Sequence, residues 1–383
     1  MRRFAGWGVV GLLVALMGAS PVQAEDVVLA VVGPMTGDSA QYGVMARRAV
    51  KLFADEANKR GGLLVAGKRR RLRILVGDDK ADPKEAAAVA TKFATNRKVS
   101  VVIGHFNSSC CLAGKRIYAR YGVVEFSYGC TNPEVAKGSP WTFRNVFEDT
   151  FQGQSVANYA KNALGLNRVA VFFDNDDYGR GLKDSFVAHA NRIGLTVVGQ
   201  EAYDRESFDF RAQLTKLRTL RPQAIFVSGL YNQGGLIASQ ARQLGMKRIQ
   251  ILGADGLASD EYIRLAGPHA EDTIVTSPFL FDLGGPEAQA FAEKFKARYG
   301  VAPDWIAANA YDAVGMIAKT IEDLGSTDRK AIRDALAAKT TRQKGYSGIT
   351  GTTFFDENGD SKKPVYMQVV KGGKWVAAEK QME

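Results

Sequence analysis

Short β-branched apolar runs alternate along this chain with longer segments of helical period, and the series occurs twice. The first series has apolar runs at 27–33 (VVLAVVG), 72–79, 99–104 and 122–127. Helical segments lie between them at 42–62, at 83–96 and from 105 to about 121. The second opens with a helical segment at 152–163 and continues with a strand at 168–174, a helix at 179–194 and a strand at 195–203. Then FRAQLTKLRTL, QAIFVSG, GGLIASQARQLG and IQILGAD read as helix, strand, helix and strand. Apolar runs without in-out alternation, each followed by a helix, predict parallel sheets covered on both faces. Two such series predict an α/β chain with two similar lobes. Two late helical segments and the strand-like GTTFFD, VYMQVV and KWVAA complete it.

The chain has 383 residues, more than one core usually serves. Its first 24 residues carry Arg2 and Arg3, an apolar run to Ala19 and the small-residue site Val22-Gln23-Ala24. This is the pattern of a secretory signal peptide cleaved before Glu25, and it predicts a periplasmic location. No cysteine lies in the first 100 residues to accept a lipid. Lys and Arg number 51 against 40 acidic residues, a net charge of +11. The densest basic run, Lys68 to Arg73, reads as a hairpin turn and strand start on a solvated face; no aromatic set is interleaved for stacking bases, so no nucleic acid is expected. An oxidising compartment allows Cys130 to bridge Cys110 or Cys111, while adjacent cysteines bridge only with strain. The sequence leaves that choice open, and three reduced thiols as well.

Sheets of this kind hold ligands beyond the carboxyl ends of their strands. Ser108 and Ser109 follow the strand VSVVIGH where a helix cap belongs; hydroxyls and free first-turn N–H groups there suit an anion. Thr131 offers a second such turn, with Gly129 permitting close backbone approach. Two anion-ready turns on neighbouring strands predict a shared carboxylate. Asp255 in GADG suits an ammonium, and equally a helix cap. Tyr42, Tyr178 and Tyr231 also follow strands and suit the aromatic wall of a small-molecule pocket. DNDDYGRG has Asp174, Asp176 and Gly179 in the places of a calcium loop, but Ser185 stands where a bidentate Glu belongs; DENGDSKK lacks the glycine. No calcium is expected at either. The nucleotide, zinc-protease and serine-hydrolase motifs are missing, and the histidines 105, 189 and 269 are not spaced as metal ligands. Neither an enzyme nor a cofactor is expected.

Taken together, the first strand and loop through AQYG, then GHFNSS, SYGCTNPE, FFDNDDYGRGL and GADG, in this order, resemble the leucine/isoleucine/valine-type periplasmic binding proteins, the solute receptors of ABC transporters. The likeness runs over about 25–375. It implies the type I fold: two Rossmann-like lobes joined by three crossovers, lobe I at 25–146 plus 276–360 and lobe II at 147–275 plus 361–383. It implies a ligand carboxylate on Asn107-Ser108 and Thr131, an ammonium on the Gly129 carbonyl and Asp255, and Tyr42, Tyr178 and Tyr231 around the ligand. Asp255 stands where the family commonly has Glu, and Tyr128 where it often has Pro. The implied function is capture of an amino acid, branched-chain or a related small carboxylate, by a monomer that delivers it to an inner-membrane permease. Two alternatives stay open: a sensor feeding a membrane signalling protein, and a receptor for an aromatic acid or small amide.

Overall fold

A computed structural model describes residues 25–381; the expected signal peptide lies outside them. Two sheets dominate. The first holds the strands Leu72–Asp78, Val27–Gly33, Val99–Ile103, Val124–Ser127 and Thr142–Arg144 in that spatial order, all parallel. The second runs Lys374–Ala377, Tyr366–Lys371, Ile274–Ser277, Gln250–Gly253, Ala224–Ser228, Arg168–Asp174 and Thr196–Tyr203. Its last five strands are parallel, and the two C-terminal strands add antiparallel at one edge. In both sheets the first strand in sequence lies between the second and the third, which creates a crevice at the strand ends.

The physical reason is legible in the strands. Val27–Gly33 is buried at every position because helices cover both sheet faces. Helix Ala40–Lys59 packs with Trp305–Leu324, and helix Pro83–Thr95 packs with Ser108–Tyr121. Asp82 starts its helix by accepting the Lys84 and Glu85 amides, with Pro83 in the first turn. Gly122 ends Ser108–Tyr121 in the left-handed region, at φ 62°.

Some elements differ from the sequence reading. Thr142–Arg144 is a three-residue strand with no visible periodicity, and it extends the first sheet. The helix of the 152–163 segment begins earlier, as Asp149–Asn158, and closes as a π-helical turn at Tyr159–Ala163. The basic run supplies a hairpin strand, Lys68–Arg70, paired with Leu63–Val65 around Ala66 and Gly67. Gly351–Thr353 pairs only with Tyr346–Gly348 and joins neither large sheet. Among the described residues, no helix is long and apolar enough to cross a membrane.

The chain passes between the sheet layers three times: after Arg144, after Ser277, and between Thr353 and Tyr366. Ser277 ends a strand of the second sheet, so that passage begins beyond the expected 275/276 junction. Arg144 ties the first passage to the third. Its guanidinium is fully buried; Nη1 donates to the carbonyls of Cys130 (3.1 Å) and Asn132 (2.9 Å), and Nε donates to Asp360 at 2.5 Å. Arg144→Met would leave those carbonyls without a donor and Asp360 without its cation. We expect a loss of about 3 kcal/mol in urea unfolding, with the fold retained.

Candidate functional site

Each candidate residue follows a strand end, and the crevice brings them towards one place. A cavity of about 10 Å³, room for one water-sized group, is lined by Phe106, Asn107, Ser108 and Gly129 from the first lobe and by Tyr178, Leu230, Asp255 and Gly256 from the second. Five of the eight residues singled out in the sequence therefore line it. Tyr42, Thr131 and Tyr231 stand just outside the lining.

On the first lobe, Asn107 rather than Ser108 is the helix cap, through its backbone; its side chain makes no cap bond. Its carbonyl accepts the amides of Cys110 and Cys111, and its Oδ1 is buried without a partner. Ser108 is the first helical residue, and its hydroxyl accepts the Asn132 amide at 3.3 Å. That bond leaves the Ser108 O–H free to donate. The neighbouring turn brings Gly129 and Thr131. A Cβ on Gly129 would lie 2.5 Å from Phe106 Cδ2, so glycine lets the phenyl ring lie against the turn. The Thr131 hydroxyl is buried and unpaired. Behind the turn, His105 is held between Asp79 (Nδ1 to Oδ2, 2.6 Å) and Tyr118 (Nε2 to Oη, 3.1 Å), all three buried.

On the second lobe, Asp255 caps no helix. Its Oδ1 accepts from Tyr178 Oη at 2.7 Å and from Gln152 Nε2 at 2.8 Å. Burial raises its pKa to about 6, partly offset by those two bonds. Asp174 and Asp176, the calcium-loop acids, instead pair with Arg205, and Asp176 also caps the helix Asp177–Arg192.

The lobes touch through aromatic side chains and backbone. Tyr42 Oη donates to the Gly256 carbonyl at 2.5 Å, and Tyr231 Oη donates to the Asp38 carbonyl at 2.7 Å. Tyr42 stacks on Phe106, with ring centroids 4.0 Å apart, and meets Tyr231 at 4.9 Å. Asn132 Nδ2 donates across to the Asp177 carbonyl at 2.7 Å.

Sequence reasoning passed over three residues here. Phe106 forms an apolar wall, and its place beside Asn107 at a strand end is its only signal. Gln152 is buried and bonded to Asp255 and Thr276. Asp149 is the most informative: it is fully buried, its amide donates to the Thr131 carbonyl at 2.8 Å, and the Thr131 hydroxyl is the one side-chain donor beside its carboxylate. Burial, followed by the charge of Asp255, pushes its carboxyl well above the usual range. It opens the helix after the first passage, outside the strand-end pattern. The acidic pair Glu148-Asp149 before a helical run was the available signal.

Two lobes whose strand-end turns meet at one crevice have the architecture of a receptor that encloses a small molecule. Residues 26–374 match the family described as periplasmic binding protein, and the chain belongs to that family. It is 32% identical over 345 residues to a Leu/Ile/Val-binding protein homolog 1 of Brucella suis, covering 89% of each chain. A leucine binding protein, LivK, of Thermotoga maritima superposes with a TM-score of 0.85 at 31% identity, covering 92% of this chain and 97% of the other. The branched-chain amino acid transporter substrate binding protein LivJ of Streptococcus pneumoniae, solved with isoleucine, also superposes at 0.85, with 30% identity and 93% and 100% coverage. The type I periplasmic binding protein fold implied by the sequence is therefore the fold of this chain.

The raised pKa of Asp255 has a stability consequence with a definite sign. A carboxyl that titrates at about 6 in the fold, against an ordinary value of 3.8, disfavours folding once it ionises. The penalty is absent below about pH 4 and complete above about pH 7. We expect Asp255→Asn to stabilise the ligand-free protein by about 1–3 kcal/mol at pH 7, because its amide oxygen can still accept from Tyr178. The gain should vanish at pH 4, as read by thermal unfolding at the two values.

Proposed function

We propose that this protein captures a small amino acid between its lobes in the periplasm and presents it to the permease of an ABC transporter. The observation that carries the reading is the meeting of hydroxyl donors and buried carboxylates at one crevice: Ser108 and Thr131 at a helix start and a turn, Asp149 beside Thr131, and Asp255 across the cleft. A carboxylate can accept from Ser108 and Thr131, at the amino end of the helix Ser108–Tyr121, where the helix dipole adds attraction. An ammonium can donate to Asp255, to Asp149 and to the Gly129 carbonyl. Of these acceptors, Asp149 is the one with fewest partners in the protein, while Asp255 already accepts from Tyr178 and Gln152. Phe106 and Leu230 are apolar walls for the side chain. The names of the relatives support the same class. No chemical step is involved, so the ligand is recovered unchanged. Closure follows from tighter binding to the closed form than to the open one.

The reading of a receptor for an aromatic acid without an amino group has less support, because it leaves two buried acids without a cation. A sensor role would use the same site with a different membrane partner.

The test is thermal unfolding of refolded, ligand-free protein against amino acids, aromatic acids and small amides. A ligand at about 100 times its dissociation constant adds roughly 2.7 kcal/mol. We expect shifts with small amino acids and none with benzoate. Shifts with benzoate alone would overturn the ammonium role of Asp149 and Asp255. Ser108→Ala with Thr131→Ala should abolish amino-acid binding in a folded protein, and unchanged affinity would remove both from the site. Phe106→Ala should raise the affinity for leucine relative to that for alanine, as read by calorimetry.

A further inference from the structure

We propose that the Cys111–Cys130 disulfide is a positioning device for the carboxylate half-site, holding the Ser108 and Thr131 hydroxyls in register; this rests on the reading of those two residues given above. Cys111 bonds Cys130, with Cα atoms 6.6 Å apart, while Cys110 remains a buried thiol. Ser108 and Cys111 are three residues apart in one helix and share a face. Cys130 lies between Gly129 and Thr131. The bridge therefore joins the helical turn that offers one hydroxyl to the loop turn that offers the other.

Ahead of the helix, Ser127 makes part of this join: its hydroxyl donates to the His105 carbonyl at 3.2 Å and accepts the Gly129 and Cys130 amides. The one direct hydrogen bond from the helix turn to residues 129–132 runs from the Asn132 amide to Ser108 Oγ, at 3.3 Å. That is the very hydroxyl the ligand requires. The apolar packing at this point is a small cluster of Cys111, Cys130, Val135 and Leu112, separate from the main core. Arg144 holds the far side of the turn through the Cys130 and Asn132 carbonyls, but it reaches no atom of the helix turn. The disulfide is thus the covalent brace between two elements whose relative placement sets the spacing of two donors. Burial, followed by the charge of Asp79, raises the Cys110 thiol well above its ordinary pKa. A protonated thiol is a poor nucleophile, so Cys110 does not exchange into the neighbouring bridge.

The experiment compares wild type, Cys111→Ala with Cys130→Ala, and Cys110→Ala as a control that keeps the bridge. Calorimetry with alanine and leucine at 10 °C, with folding checked by circular dichroism, gives affinity without loss of the fold. Amide exchange of the ligand-free proteins gives a readout that needs no ligand. We expect the double variant to bind at least tenfold more weakly, and its amides at 108–112 and 129–132 to exchange at least tenfold faster. Exchange at 224–228 and 250–253, in the other lobe, should be unchanged. Cys110→Ala should match wild type in both. Should the alanine pair not fold, Cys111→Val with Cys130→Ala fills the vacated volume and enters the same two measurements. A folded double variant with wild-type exchange at both segments would overturn the proposal and leave the bridge a brace of the fold alone. Wild type that binds neither amino acid would instead overturn the assigned ligand, while the exchange comparison still decides the role of the bridge.

Discussion

A parallel strand that feeds a helix must release its chain at one end of the sheet, and in this protein that constraint sets everything at the site. Phe106 to Ser108 follow the strand Val99–Ile103, and Gly129 and Thr131 follow Val124–Ser127. Tyr178 follows Arg168–Asp174, and Asp255 follows Gln250–Gly253. In each case the chain leaves a fully bonded ladder and must satisfy its next backbone groups by a helix start or a tight turn. Free N–H groups, hydroxyls and short acids therefore accumulate at the crevice. The buried sheets fix where each turn begins, and contacts beyond the strand ends, the Cys111–Cys130 bridge among them, fix how neighbouring turns lie.

The site is short of donors. Asn107 Oδ1 and Gln152 Oε1 are buried acceptors without partners among the described residues, and the Asp149 carboxylate has only the Thr131 hydroxyl beside it. Buried groups of this kind each cost free energy in an isolated fold. Their concentration at one crevice, with the charge of Asp255 helping to raise the Asp149 carboxyl, is the opposite of what stability alone would select. The tension is relieved by a molecule that brings N–H donors and positive charge. On the proposed reading, the side chains that select the ligand are thus the ones that make the protein less stable without it.

How much of this was legible in the sequence followed from the same constraint. Residues at strand ends could be found because a strand is visible as an apolar run, and the turn after it can be read residue by residue. Ser108, Tyr178 and Asp255 were found in this way. Asp149 was not, because it follows a three-residue edge strand, Thr142–Arg144, too short to show a period. The cysteine pairing stayed open because Cys110 and Cys111 are neighbours in sequence. A helix turns successive side chains by about 100°, and only the fold shows that Cys111 faces the turn of Cys130. The cap at Asn107 was read as Ser108 because both residue types cap helices well, and one residue's difference lies within the fraying of helix ends.

The contacts that close the lobes are largely distinct from those that line the cavity. Tyr42 and Tyr231 each donate a hydroxyl to a backbone carbonyl of the opposite lobe, at Gly256 and Asp38, and Asn132 does so at Asp177. Backbone acceptors are indifferent to which side chain stands at their position. Closure can therefore survive changes at Phe106, Leu230 or Asp255 that would alter what is enclosed. The coupling between the two sets is confined to a few points: Tyr42 stacks on Phe106, and the Gly256 whose carbonyl receives Tyr42 also donates its amide to Tyr178 Oη, the partner of Asp255. A ligand that orders Asp255 and Phe106 thereby orders the groups that hold the lobes together. That linkage turns occupancy of a small pocket into a change in the relation of two whole lobes.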